Sequence, residues 1–155
     1  MEWAKTFGKE FSMFVLDYDK AYDRVEWDFI LMMLDAFGFP KEFCDIVKVL
    51  FKDASALIEV NGSLSSPIML TQTIRQGCPL ALALFVIASD ALFYLLKDDS
   101  ISPSVKGLSL PDESQPFNIQ FANDTSLFLE LTKQNFEALG QKLKFFGDIS
   151  SARIS

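Results

Sequence analysis

Two apolar runs that end in carboxylates constrain this chain more than any other feature. Phe11 to Leu16 has strand character and closes on Asp17-Tyr18-Asp19. Far downstream, Ile119 to Phe121 and Thr125 to Leu129 read as two short strands joined by a tight turn that contains Asn123 and Asp124. Acids at strand ends, brought together by folding, are a common way to hold Mg²⁺ against a phosphate. Asp17 and Asp124 are therefore the first candidates for a metal site.

The rest of the composition narrows the classes. A chain of 155 residues, half of them hydrophobic and 16 of them Phe, can bury a sizeable single core and is not disordered. The formal net charge of −7 argues against a stand-alone nucleic-acid binder, which gains most of its affinity from Lys and Arg neutralising phosphates. With two cysteines and no histidine there is no zinc cage. Cys44 falls in a helical pattern and is expected to be a buried, reduced thiol. The opening Met1-Glu2-Trp3-Ala4-Lys5 lacks the basic start and apolar middle of a signal peptide. Pro79 to Leu96 has about the length of a bilayer span, but Ser89 and Asp90 interrupt it, so a buried core helix is expected. These features predict a soluble intracellular protein with no membrane partner.

Residues 1–10 look like a lead-in. Asp23-Arg24-Val25-Glu26 has the spacing of a capping box, with Asp23 at the helix start and Glu26 reaching back, ahead of a helix that Gly38 stops. Pro40 begins a second helix that runs to about Phe51. Ala56 to Val60 and Ile68 to Thr73 read as strands paired across Asn61-Gly62, with a loop extending as far as Ser66. Pro79 suits the first position of the long helix. Residues 98–116 form the main exposed connection, and a last helix runs from Thr132 to about Ile149 before a short tail. This order predicts one α+β domain, a mainly antiparallel sheet with helices packed on one face.

Of the acids near the first strand, Asp23 is explained by the capping box alone. For Asp19 a turn-forming role and a functional one are evenly matched, and for Asp17 the functional reading leads. An EF-hand is excluded: counted from Asp17, the sixth position is Tyr22 and the twelfth is Asp28, not Gly and Glu. Ile74-Arg75-Gln76-Gly77-Cys78-Pro79-Leu80 is a good helix start. Gly77 would also let a backbone approach a ligand, with Arg75 and Gln76 as donors to a phosphate or base.

Together these segments resemble a known family. Leu16-Asp17-Tyr18-Asp19-Lys20-Ala21-Tyr22-Asp23-Arg24-Val25-Glu26-Trp27 looks like the first catalytic motif of LINE-type (non-LTR) retrotransposon reverse transcriptases, with the flavour of plant elements. Arg75-Gln76-Gly77-Cys78-Pro79-Leu80 resembles their second motif and Phe121-Ala122-Asn123-Asp124-Thr125 their third. Val60-Asn61-Gly62 and Ser151-Ala152-Arg153-Ile154 also match. The resemblance implies a polymerase palm in which the positions of Asp17, Asn123 and Asp124 are catalytic, with two Mg²⁺ ions held by the acids. It implies that Tyr22 faces the sugar of the incoming nucleotide. Arg75, Gln76 and Gly77 would lie on the nucleotide and template side. RNA template, DNA primer and deoxynucleotide are the implied partners.

Three departures accompany the resemblance. Asn123 stands where the family has an Asp, which removes one of three negative charges from the metal site. Ala81-Leu82-Ala83 lacks a Pro that the family tends to place there. Most of the fingers, and the thumb, are expected to be absent from residues 1–155. An impaired, degenerate enzyme with weak or no grip on nucleic acid is the resulting expectation. Two other readings compete. A haloacid-dehalogenase-like phosphatase would use Asp17 and Asp19 as nucleophile and acid/base, with Asn123 and Asp124 as distal metal ligands. A non-catalytic interaction module would expose apolar surface and self-associate.

Overall fold

The computed structural model describes residues 11–74, 77–108, 118–121 (backbone only) and 124–154. The lead-in, Arg75, Gln76, Asn123 and the later part of the 98–116 connection lie outside them. The first strand, β1 (Phe11–Asp19), is three residues longer than its apolar run, so Asp17 and Asp19 lie on the strand itself. Lys20, in the left-handed region at φ 51°, makes the turn into a four-residue helix, α1 (Ala21–Arg24). Helices α2 (Trp27–Ala36) and α3 (Lys41–Phe51) follow.

The expected capping box does not form. Asp23 lies inside α1, the residue preceding α2 is Glu26, and no side chain caps that helix. Asp23 instead accepts a hydrogen bond from the Thr73 hydroxyl at 3.1 Å. The extra turn of helix at Ala21 displaced the start that the spacing suggested. The end of α2 is as expected. Gly38, at φ +77°, donates to Asp35 O at 2.9 Å, and Phe39 donates to Leu34 O at 3.0 Å, which is the double closure that left-handed glycine permits.

The hairpin region divides more finely than its sequence suggests. Asn61 and Gly62, both at positive φ, close β3 (Glu59–Val60) tightly on β4 (Ser63–Leu64). Outside them, β2 (Ser55–Ala56) pairs with β5 (Ile68–Met69). Helix α4 (Pro79–Lys97) begins with Pro at its first turn. Strands β6 (Asn118–Phe121) and β7 (Asp124–Glu130) precede α5 (Lys133–Ser150), whose Thr132 cap accepts from Asn135 N at 3.1 Å. The supposed tail is a short strand, β8 (Arg153–Ile154), which pairs with Tyr18 and Asp19. Cys44 is only partly buried and is a free thiol.

The main sheet has the order β6-β7-β1-β8, and every described pairing is antiparallel. Side chains alternate across it. Leu16 and Tyr18 of β1, with Thr125, Leu127 and Leu129 of β7, are buried on one face, while Met13, Val15, Asp17 and Asp19 are exposed on the other. The buried face meets α4, where Tyr18 packs edge-on against Phe85 at 5.5 Å. Phe29 of α2 packs edge-on against Phe146 of α5 at 5.8 Å. Helix α4 is apolar and long enough to span a membrane, yet half of it is buried inside the molecule, with Ser89 donating to Phe85 O at 2.8 Å. Fully burying each such Leu or Phe is worth about 1.5–3 kcal/mol, so α4 acts as the spine of the core.

Two buried polar side chains fasten the periphery. Lys142 is fully buried and donates to Leu95 O at 2.9 Å, Leu96 O at 3.2 Å and Asp98 O, at the negative end of α4. Burial holds its pKa below the ordinary lysine value. Asn135 accepts from Lys106 N and donates to Lys106 O and Glu130 O, each at 2.9 Å, tying the segment after α4 to the end of β7.

Tyr18 has a raised pKa of about 12, because burial disfavours the phenolate, and Ser89 opposes this in part. The Ser89 hydroxyl donates to Phe85 O, and Tyr18 Oη makes no well-formed hydrogen bond among the described residues. A raised acid pKa gives stability that is fully present below about pH 10 and is lost as pH rises through the folded-state value. Tyr18→Phe should therefore flatten the alkaline unfolding limb between about pH 10 and 12, leaving neutral-pH stability within about 1 kcal/mol. Thermal melts of both chains across that range check this; parallel limbs would contradict it.

Candidate active site

The site is built on the open face of the sheet. In the β1–β7 register Leu16 lies opposite Thr125, and the next pair is Asp17 opposite Asp124. Directly opposed residues project to the same face with Cβ atoms about 4.5–5.5 Å apart. The period of two that buries Leu16 and Thr125 therefore turns both carboxylates outward, side by side. Strand β6 ends at Phe121, opposite Asp124. Asn123 itself lies outside the described residues.

Two carboxylates on one face suit Mg²⁺, which is usually held by one or two carboxylates and takes its remaining ligands from water and phosphate. Among the described residues no group of three or more His, Cys, Asp or Glu is gathered to hold a metal. Two carboxylates so placed would fit a cation that takes its other ligands from water and substrate.

Asp19 shares the open face, two positions along β1, but its carboxylate pairs with Arg24 Nη2 at 2.8 Å. Tyr22 lies half-buried on α1 with its ring against Phe85, centroids 5.0 Å apart. The phosphatase reading has no scaffold here. Its acids need the end of a parallel strand, and β1 is antiparallel to both neighbours.

The segment ahead of the second motif is fastened to the first motif by the backbone. Residues 71–74 run against 22–27: Ile74 N donates to Tyr22 O at 2.6 Å, and Trp27 N donates to Thr71 O at 3.3 Å. A β-bridge joins Glu26 and Gln72, and the Trp27 indole donates to Thr73 O at 2.7 Å. This clamp directs the chain toward Gly77, whose φ of +82° precedes Cys78 and α4. No Cβ contact would block a side chain at Gly77, so the positive φ is what favours glycine there. Arg75 and Gln76 lie outside the described residues. Leu82 is exposed on α4.

Sequence reasoning passed over Arg24, Lys144 and Arg153, which the fold gathers around a cavity beside Asp19. They are scattered along the chain, and although Arg24 and Arg153 fall in matched segments, neither residue was given a role there. The sequence signal available was the match of Ser151-Ala152-Arg153-Ile154, which did not indicate a strand beside β1.

Residues 4–154 match the sequence profile of the reverse transcriptase (RNA-dependent DNA polymerase) family. The chain is 26% identical over 155 residues to an uncharacterized 149 kDa protein of transposon TX1 from Xenopus laevis, covering all of this chain and 12% of that protein. It is 34% identical over 107 residues to a retrovirus-related Pol polyprotein from the type-1 retrotransposable element R2 of Popillia japonica, 66% of this chain and 18% of that one. The chain thus spans less than a fifth of the length of these curated relatives. With a family match over nearly its whole length and relatives of this kind, the chain belongs to the reverse transcriptase family, as a domain fragment of the LINE-type, non-LTR retrotransposon branch.

Proposed function

We propose that this chain carries the palm of an RNA-directed DNA polymerase, with a nucleotidyl-transfer site that has lost part of its metal affinity. The observation that carries the reading is the register that sets Asp17 opposite Asp124 on the open sheet face. These two carboxylates would hold Mg²⁺. When bound, the metal supplies charge to activate a primer hydroxyl and to steady the departing pyrophosphate. An Asn at position 123 would offer an amide oxygen, which can touch a cation but brings no negative charge. Tyr22, its ring held by Phe85, is the candidate to sense the sugar of a deoxynucleotide, and Arg75, Gln76 and Gly77 to line the nucleotide and template side.

Manganese titration by calorimetry tests the site. Asp17→Asn should weaken binding by at least about tenfold, and Asn123→Asp should tighten it by a similar factor, since even groups behind metal ligands are worth about 10–100-fold. Equal affinities for the parent chain and Asn123→Asp would remove position 123 from the site. The chain is expected to give no primer extension on an RNA template with Mg²⁺ or Mn²⁺. Template-dependent incorporation of deoxynucleotides would show that the amide suffices.

A second reading is favoured by the surface. Ile46, Val49 and Leu50 of α3 are exposed, as are Leu57, Ile58, Val60, Leu64, Ile68 and Met69 in and around the hairpins. Exposed apolar side chains that gather into a contiguous patch serve association. We infer that the chain self-associates through this side. Sedimentation velocity should give a weight-average mass that rises with concentration, and Val49→Glu with Leu64→Glu should reduce the rise. A concentration-independent monomer would exclude it.

A further inference from the structure

We propose that the cavity of about 680 Å³ between α1, the end of α5 and β8 is a phosphate-binding subsite, formed by Arg24, Lys144 and Arg153. The chain as a whole is acidic, at −7, so three cations around one concave space reverse its local sign. Each is brought there by a different element. Arg24 ends α1, and Lys144 projects from the last turns of α5.

Arg153 arrives through a sharp reversal. Ser151 takes up φ 59° and ψ 6° after α5, and Ala152 N donates to Ser150 Oγ at 3.1 Å. Gly147 lets the helix end lie close to the returning strand, since a Cβ there would stand 3.1 Å from Ala152 O. The chain then pairs with β1, Arg153 opposite Asp19, on the same open face as Asp17.

The three cations are under-used. Lys144 and Arg153 form no ion pair among the described residues, and Arg24 forms one, to Asp19. The Arg24 Nε is buried and meets no acceptor among the described residues. A buried donor without a partner is costly. An anion lodged in the cavity would relieve that cost and receive the forked donors that arginine offers to phosphate. Asp148 also lines the cavity and opposes an anion, as does Asp19 at its edge, so the surplus is one positive charge.

The ligand class is a phosphate ester or anhydride. As a holder of nucleotide or nucleic-acid phosphates, the subsite rests on the nucleotidyl-transfer reading, because it lies one step across the sheet from the Asp17–Asp124 pair. Binding of the anion itself does not depend on that reading.

Inorganic tripolyphosphate titrated into the intact chain, in metal-depleted buffer of low ionic strength, tests the assignment by calorimetry. Saturable binding is expected. Arg153→Gln and Lys144→Gln should each weaken it by about tenfold, as loss of a charge-assisted hydrogen bond does. Asp148→Asn should tighten it about threefold or more, a gain that no merely structural role predicts. Asp17→Asn should not weaken it. A single-stranded oligothymidylate titrated alongside separates the sources: binding stronger than tripolyphosphate assigns a strand backbone, weaker binding a nucleotide's phosphates. Circular dichroism checks each variant for folding, and Asp148→Asn carries the test if the others unfold. No saturable binding, or binding indifferent to positions 144, 148 and 153, would overturn the proposal. Binding that requires Mn²⁺ and vanishes in Asp17→Asn would overturn it too, while supporting a metal at the carboxylate pair. Loss of metal binding with retained metal-free anion binding would sink the nucleotidyl-transfer reading and leave the subsite standing.

Discussion

The antiparallel register of β1 and β7 is the constraint on which the rest depends. It is held by seven consecutive residue pairs from Phe11–Glu130 to Asp17–Asp124. A slip by one residue would turn Leu16 and Leu127 outward and drive Asp17 into the helices. The apolar alternation that buries Leu16, Tyr18, Leu127 and Leu129 under α4 therefore also exposes the two carboxylates together. Core packing and site geometry are one decision here. The half-buried helix α4, with Phe85 touched by both Tyr18 and Tyr22, keeps the sheet from shifting beneath the acids.

A second tie joins parts of the chain that carry separate motifs. The clamp between residues 22–27 and 71–74 uses backbone bonds, a β-bridge, the Trp27 indole and the Thr73–Asp23 contact. These groups fix the chain at Ile74, just ahead of Gly77 and α4. Trp27 also stacks on Phe51 at 4.8 Å, which couples the clamp to α3. Residues that looked like ordinary turn and cap formers are thus the means by which two distant segments come to share one end of the sheet.

Much of this was legible. Strand, helix and strand positions followed from periodicity, and Gly38, Pro40, Pro79 and Thr132 marked helix ends because their backbone preferences act locally. The errors were also local in cause. Asp23 matched a capping box because spacing cannot reveal that Ala21 starts a separate helical turn, after which Thr73 becomes a closer partner. Ala152-Arg153-Ile154 passed for a tail since two residues are too few to show an alternation. Asp19 stood evenly between structural and functional roles, and only its proximity to Arg24 assigns it an ion pair.

By itself the sequence determined the family, the α+β class and the acids worth watching, because those depend on residue types and their order. Whether Asp17 and Asp124 meet depended on long-range pairing, which no local pattern encodes. The gathering of Arg24, Lys144 and Arg153 was decided by tertiary structure alone: a left-handed turn at Ser151 and a two-residue strand carry a distant cation back beside β1. Coulomb and hydrogen-bond energies depend on separation in space, and only the folded chain converts separation in sequence into that distance.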